Sequence, residues 1–232
     1  MIPLALALFL VGPRNAGSAP PAATPPLAAS ASYFQPVISK GMAFPLARSN
    51  FHSFLMIFSD WHAPRLRLVG GQWLLVGVHE GIDIAAERGT PVVAMEPGTV
   101  ENAGWTFYSG LRVGVRGHDG RYYLFAHLSA LANGIAVGSS VEAGTVLGLV
   151  GNTGYGPPGH RDEFPPHLHI GIEEGAEWVD PYAALVSLYE ATLRADRRAQ
   201  AALDALSDSG DTAAWERLAQ STFMTAEESK GE

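Results

Sequence analysis

A small set of side chains in this chain shares one chemical vocabulary. His79 and Asp83 lie four apart in His79-Glu80-Gly81-Ile82-Asp83, and His167 and His169 lie two apart in His167-Leu168-His169. Between them His127 ends the aromatic run Tyr122-Tyr123-Leu124-Phe125-Ala126-His127. Imidazole nitrogen and carboxylate oxygen are zinc ligands, and catalytic zinc sites use three protein ligands with a fourth position left for water. Water on such an ion has its pKa lowered to about 7 and becomes a nucleophile near neutral pH. Imidazole, with an unperturbed pKa of about 6.5, is suited to give or take a proton beside it. The chemistry these residue types point to is hydrolysis.

Spacing constrains how they could meet. Residues two and four apart on a strand share a face, so His167 looks the same way as His169, and His79 the same way as Asp83. Four residues of straight strand, however, cover about 13 Å, at roughly 3.3 Å per residue. Ligand atoms about 2 Å from one ion cannot come from so far, so the chain must bend between His79 and Asp83. Gly81 is the residue that permits a bulge or tight bend. A helix would also bring positions four apart together, but Val78, Ile82 and Ile84 beside a glycine favour a strand. His167 and His169 have Cα atoms about 6.6 Å apart on a strand, so one can ligate while its neighbour stands near the open coordination position. The remaining histidines read as solvated surface groups (His52, His62, His118), while His160, in the loop Tyr155 to Pro166, could approach the site without being assigned to it.

The elements that must position these residues are short and mostly strands. Trp73 to Val78 is apolar and leads into His79. Beyond it come Ile82-Asp83-Ile84, Pro91-Val92-Val93-Ala94, Leu111 to Val115, Arg121 to His127, Ile135 to Val141, Val146 to Val150 and His169 to Glu173, separated by glycine-rich corners. Gly117-His118-Asp119-Gly120 is a hairpin turn signal. The pattern predicts a mainly β fold of antiparallel hairpins, with no helical period between Gly71 and Ile172. Asp180-Pro181 then reads as a cap and first-turn proline for an amphipathic helix over Tyr182 to Leu206. That helix is read as a packing or linker element, with a partner-binding helix as the other possibility. A second short helix is predicted over Thr212 to Gln220, before a polar tail.

Upstream, Ile2 to Gly12 is an apolar run of signal-peptide length, short of the roughly 20 residues that span a bilayer. Ala16-Gly17-Ser18-Ala19 follows as a cleavage zone, so residues 1–19 are expected to be a signal peptide and the protein to be exported to the periplasm, cell envelope or medium. No Lys or Arg precedes the run, which is the pattern of the competing reading, an N-terminal helix of the mature protein. Residues 20–41 are Pro/Ala-rich and read as a linker. A globular domain is expected over 42–181 and a helical extension over 182–232.

Bulk composition narrows the function classes. Of 232 residues 47% are hydrophobic and 16% charged, as in ordinary globular proteins, and the net charge is −8. Phosphate binding needs a basic face, so nucleic acid is not an expected partner. Cysteine is absent. That removes disulfides, thiolate metal sites, thiol nucleophiles and S-linked lipid anchors, and no stable membrane anchor is evident.

The ordered motifs resemble those of the lysostaphin-type (LytM-like) zinc endopeptidases, which cut peptidoglycan peptides. The resemblance covers about Phe44 to Leu185. It runs through His79-Glu80-Gly81-Ile82-Asp83-Ile84, Gly89-Thr90-Pro91-Val92, Pro97-Gly98-Thr99-Val100 and Phe125-Ala126-His127-Leu128. It continues through Val137-Gly138, Val141-Glu142-Ala143-Gly144 and Gly148-Leu149-Val150-Gly151-Asn152-Thr153-Gly154, and ends at Pro166-His167-Leu168-His169-Ile170 and Asp180-Pro181-Tyr182. The resemblance implies that His79, Asp83 and His169 bind zinc. It implies that His127 and His167 activate the water and stabilise the tetrahedral oxyanion. It also implies a compact antiparallel, sandwich-like β core with a groove across the zinc. The chain departs from the family pattern in the long Pro-rich segment Gly154 to His167 and in the extended Gln72 to Val78, both expected to flank that groove.

Hydrolysis of an amide in peptidoglycan stem or cross-bridge peptides is therefore the leading expectation. The competing one is a LytM-like domain that only binds, as a scaffold or as the activator of another wall hydrolase. Such domains typically lack some ligands, whereas all of them are present here. A peptidase acting on Gly-rich proteins instead of cell wall is a further enzyme variant. Ala94 to Val100 also resembles the domains that carry biotin or lipoyl groups, but those need an acceptor lysine, and none exists between Lys40 and Lys230.

Overall fold

The computed structural model describes residues 38–47 and 56–209. The apolar N-terminal run, most of the Pro/Ala-rich segment, His52 and the short helix expected over Thr212 to Gln220 lie outside them. In chain order the elements are β1 (Ile38–Ser39), β2 (Met42–Ala43), β3 (Met56–Ile57), β4 (Pro64–Val69), β5 (Gln72–Val78), β6 (Ile82–Ala85) and β7 (Pro91–Val93). They continue with β8 (Gly98–Thr106), β9 (Gly110–Gly117), β10 (Tyr122–Leu131), β11 (Ser140–Val141), β12 (Val146–Val150), β13 (His167–Glu174), β14 (Glu177–Val179) and α1 (Tyr182–Ser209). This is the mainly β fold with a C-terminal helix that the strand pattern predicts.

Every described pairing between strands is antiparallel. The main sheet runs β11-β8-β9-β10-β13-β6-β3, with β12 joining β10 to β7 and β14 lying on β13. Alternation along β6 and β13 separates the core from the site. Ile82 and Ile84 of β6 and Leu168 and Ile170 of β13 are fully buried. With period two, Asp83, His167 and His169 must face the opposite side. β9 contributes Val113 and Val115 to the same core, and β10 contributes Tyr123, Phe125 and Leu128.

The helix closes this core instead of trailing from it. Asp180 accepts the Tyr182 backbone N–H on its Oδ1 at 2.9 Å, the capping contact expected beside Pro181. Leu185 and Leu188 are buried in the main cluster, and the Tyr189 ring lies 5.3 Å from that of Phe44. A packing role thus accounts for the first turns.

Two segments differ from the sequence expectation. Ile38–Ser39 pairs with Met42–Ala43, so a small hairpin straddles the point where the linker was expected to give way to the domain. Ile135 to Ser139 is turn, with strand only at Ser140–Val141. Gly134 and Gly138 adopt positive φ (82° and 91°), and Ser139 Oγ ties the segment by donating to the Gly134 carbonyl and accepting the Ala136 N–H. These local bonds outcompete a ladder for a run that had only β-branched residues in its favour.

The strands β4 and β5 form a separate two-stranded ribbon. Leu66 pairs with Leu75 and Leu68 with Trp73, so these four share one face, and all four are exposed. His79 follows the last residue of this ribbon directly.

Candidate metal centre

The site forms where β6, β13, the end of the ribbon and a kink in β10 converge. Asp83 and His169 are directly opposite each other across the β6–β13 pair, a register in which Cα atoms lie about 4.5–5.5 Å apart. His79 reaches them around a bend at Glu80-Gly81. Gly81 is needed there for close approach and not for a special φ: a Cβ on it would lie 2.5 Å from the Ile170 carbonyl oxygen and 2.6 Å from His169 Cε1. The expected bend is present, and its glycine is the seat on which the His169 ring rests. Gly81→Ala should therefore cost about 1–3 kcal/mol of stability by overpacking, read as a lower urea midpoint, and should displace the His169 ring. An unchanged midpoint would show that the backbone there yields freely.

The converging atoms are His79 Nε2, Asp83 Oδ1 and His169 Nδ1. His79 Nε2 is 2.8 Å from His169 Nδ1 and 3.3 Å from Asp83 Oδ1, and His169 Nδ1 is 3.1 Å from Asp83 Oδ1. A tetrahedral ion with bonds of about 2.0–2.1 Å separates its ligand atoms by about 3.3 Å. The triangle is thus already within about half an ångström of the size such an ion demands. His79 is 2% exposed, while Asp83 and His169 are partly buried. Among the described residues this is the group of His, Asp and Glu side chains that could hold a metal ion.

The electrostatics agree with a cation site. Burial alone would raise the Asp83 carboxyl, but hydrogen bonds from His169 and His79 and the neighbouring His167 outweigh it and hold it well below the usual carboxylate range. Burial would lower His79, yet contacts to Asp60 and Asp83 win and raise it. His169 is lowered, chiefly by burial, against the pull of Asp83.

His127 arrives by a different device. Up to Ala126, β10 pairs with β13, and from Leu128 it pairs with β12. The register against β9 shifts between Phe125 and Leu128, and His127 itself has φ 63°. A non-glycine residue held in the left-handed region costs of order 1–3 kcal/mol and persists only where its surroundings enforce it. Here they do: the His127 N–H donates to Ser109 O at 2.9 Å, and Nδ1–H donates to Thr153 O at 2.7 Å. Its ring lies 4.8 Å from that of His167 and 5.8 Å from that of His169. His167 Nδ1–H donates to Pro165 O at 2.9 Å, and its Nε2 sits 3.7 Å from Asp83 Oδ1. Both rings thus carry the proton on Nδ1 when neutral, with Nε2 left as the base.

Burial first, then the proximity of His167 and His169, pushes His127 well below the ordinary imidazole value. A depressed folded pKa means that the unfolded chain binds more protons. The resulting stability is full above the unfolded value of about 6.5 and is lost as pH falls through it toward the folded value. His169 adds in the same direction and His79, being raised, opposes. In chelator, the melting temperature should fall from pH 7.5 to 5.5, and His127→Gln should flatten that slope. A melting temperature that climbs on acidification would contradict a neutral His127.

The other histidines stay apart. His160 Nδ1 pairs with Gly154 O at 2.8 Å and its Nε2 is 3.3 Å from Glu163, within its own loop, and His62 and His118 are exposed. That Pro-rich loop is bolted down by Trp105 Nε1–H donating to Gly156 O at 3.0 Å, so Trp105 anchors a wall of the site. Phe107, Tyr108 and Tyr155 are exposed on the rim, and Phe164 packs 4.8 Å from His127. Sequence reasoning missed Asp60 and Arg65. Asp60 Oδ2 lies 3.1 Å from His79 Nδ1, and Arg65 Nη2 lies 3.7 Å from Asp83 Oδ2. Neither belongs to a motif, and only the fold brings them in.

An antiparallel sheet thus gathers two imidazoles and one carboxylate that could hold a metal ion, with two further imidazoles alongside. Residues 77–181 match Peptidase family M23. Over 147 residues it is 42% identical to the L-Ala–D-Glu endopeptidase of Bacillus subtilis, an alignment covering 62% of this chain and 42% of that protein. Over 96 residues it is 37% identical to lysostaphin of Staphylococcus staphylolyticus, covering 40% of this chain and 18% of that protein. The crystal structure of a lytM protein from Ruminococcus gnavus superposes with a TM-score of 0.53 at 33% identity, covering 64% of this chain and 60% of that one. The chain thus spans well under two thirds of the length of these curated relatives.

Proposed function

We propose that the protein is a zinc-dependent endopeptidase that hydrolyses amide bonds in peptidoglycan stem or cross-bridge peptides. The observation that carries this reading is the triangle of His79 Nε2, Asp83 Oδ1 and His169 Nδ1, sized for one tetrahedral ion and flanked by two imidazoles that are not part of it. The match to Peptidase family M23 and relatives named as L-Ala–D-Glu and glycyl-glycine endopeptidases support the substrate class.

His79, Asp83 and His169 would hold the ion, which when bound supplies Lewis acidity and a water of lowered pKa. Arg65 and Asp60 hold the outer faces of Asp83 and His79, so the ligands need little rearrangement. In their neutral forms His127 and His167 would each present a bare Nε2, because Nδ1–H is committed to a backbone carbonyl. The imidazole that takes the proton of the attacking water becomes a cation. It then stabilises the tetrahedral oxyanion of the substrate and returns the proton to the leaving amine. The β4–β5 ribbon, which ends next to His79, and the Pro-rich loop, whose Phe164 packs on His127, would flank the groove in which an extended peptide lies. Among the described residues no helix is long and apolar enough to cross a membrane. The apolar run Ile2 to Gly12, of signal-peptide length, supports export to the cell envelope or medium.

The test is to incubate purified protein with purified cell wall and with defined wall fragments, and to read product masses. Release of peptide fragments that a chelator abolishes and zinc restores is the expected result. Stoichiometric zinc without hydrolysis of any fragment would favour a binding domain instead.

A further inference from the structure

Asp60 lies in the connection between β3 and β4, 19 residues before His79, where no sequence motif marks it. Its carboxylate does two things at once. Oδ2 stands 3.1 Å from His79 Nδ1, and Oδ1 accepts the backbone N–H of Asp83 at 3.3 Å. The Asp60 carbonyl oxygen also lies 3.2 Å from His79 Nδ1. The turn that carries Asp60 is in turn fastened to His79. Ala63 N–H donates to Asp60 O at 3.0 Å, His79 N–H donates to Ala63 O at 2.9 Å, and His62 N–H donates to His79 O at 2.9 Å.

We propose that Asp60 is a positioning residue of the metal centre, one carboxylate that sets the tautomer of His79 and the placement of Asp83 together. This rests on the zinc reading above. With Asp60 Oδ2 and the Asp60 carbonyl oxygen both facing it, Nδ1 of neutral His79 must carry the proton, which leaves Nε2 as the lone pair directed at His169 and Asp83. The bond to the Asp83 N–H pins the other end of the four-residue bend. Since a straight strand would separate His79 from Asp83 by about 13 Å, whatever holds the bend holds the ligand triangle. Partners of this kind behind a metal-binding histidine are worth about 10–100-fold in metal affinity.

The experiment uses the full chain with Asp60→Ala and Asp60→Asn. Zinc affinity is measured by competition with a chromophoric chelator, and the ring nitrogens of His79 are observed by ¹⁵N NMR in the zinc-free protein. Asp60→Ala should weaken zinc about 10–100-fold and shift His79 from the Nδ1–H tautomer to a mixture, while the ring signals of His127 stay unchanged. Asp60→Asn keeps one side-chain oxygen for the Asp83 N–H but replaces the other, facing His79 Nδ1, with an amide NH₂, and should weaken zinc about tenfold. A general structural defect would move the His127 signals and the melting temperature as well. If Asp60→Ala does not fold, Asp60→Asn carries the test, and zinc affinity and a His79 tautomer equal to the parent's would overturn the proposal. Failure of the unaltered protein to bind zinc would overturn the metal reading itself. Zinc binding by the unaltered protein that Asp60→Ala matches would overturn only the role of Asp60.

Discussion

Asp83→Ala is expected to release zinc and abolish hydrolysis in one step. Asp83 is the only anion in the triangle, and its Oδ1 is the atom that both His79 and His169 approach. Without it two imidazole nitrogens 2.8 Å apart would have to share a dication with no carboxylate to neutralise it. The dication would also sit near Arg65, left without its partner at 3.7 Å. Metal content by mass spectrometry should fall from one zinc per chain to none, and cell-wall peptide release should drop below detection. Asp83→Asn, which keeps a neutral oxygen in place, should retain zinc weakly. A stoichiometric zinc content in Asp83→Ala would mean that the ion sits elsewhere and that the triangle is a hydrogen-bonded cluster.

The second large effect separates binding from chemistry. His127→Ala and His167→Ala remove no atom of the triangle, so zinc content should be preserved. The rate on wall fragments should nevertheless fall by about 10²-fold or more, the usual loss when a general acid or base is removed. The two variants are expected to differ in stability. His127 occupies a left-handed bulge that its own ring helps to hold through Thr153, so its loss should also loosen the crossing of β10 from β13 to β12. His167 stands on a regular strand opposite Ala85 and should be lost without structural penalty. Full hydrolysis by His167→Ala would reassign proton transfer to His127 alone.

Much of this site was legible before the fold was known, and for local reasons. Residue type restricts which side chains can hold a metal, and period-two alternation in Ile82-Asp83-Ile84 and His167-Leu168-His169-Ile170 already separates the apolar face from the polar one. The capping pair Asp180-Pro181 likewise announces the helix by its own chemistry. Runs such as Ile135 to Val141 were less legible, because a β-branched pattern cannot reveal that glycines at positive φ and a serine side chain will turn the chain instead.

By itself, then, the sequence determined the identity of the metal-capable side chains, the strand character of the segments that bear them and the need for a bend at Gly81. Tertiary structure alone decided that Asp83 faces His169 across 86 residues of chain, that β10 kinks to deliver His127, and that Asp60 and Arg65 brace the ligands from behind. The physical reason is the range of the forces involved. Alternation, glycine sterics and capping act within a few residues, whereas strand register and bulge position are settled by long-range pairing and core packing, in which each strand's choice depends on all the others.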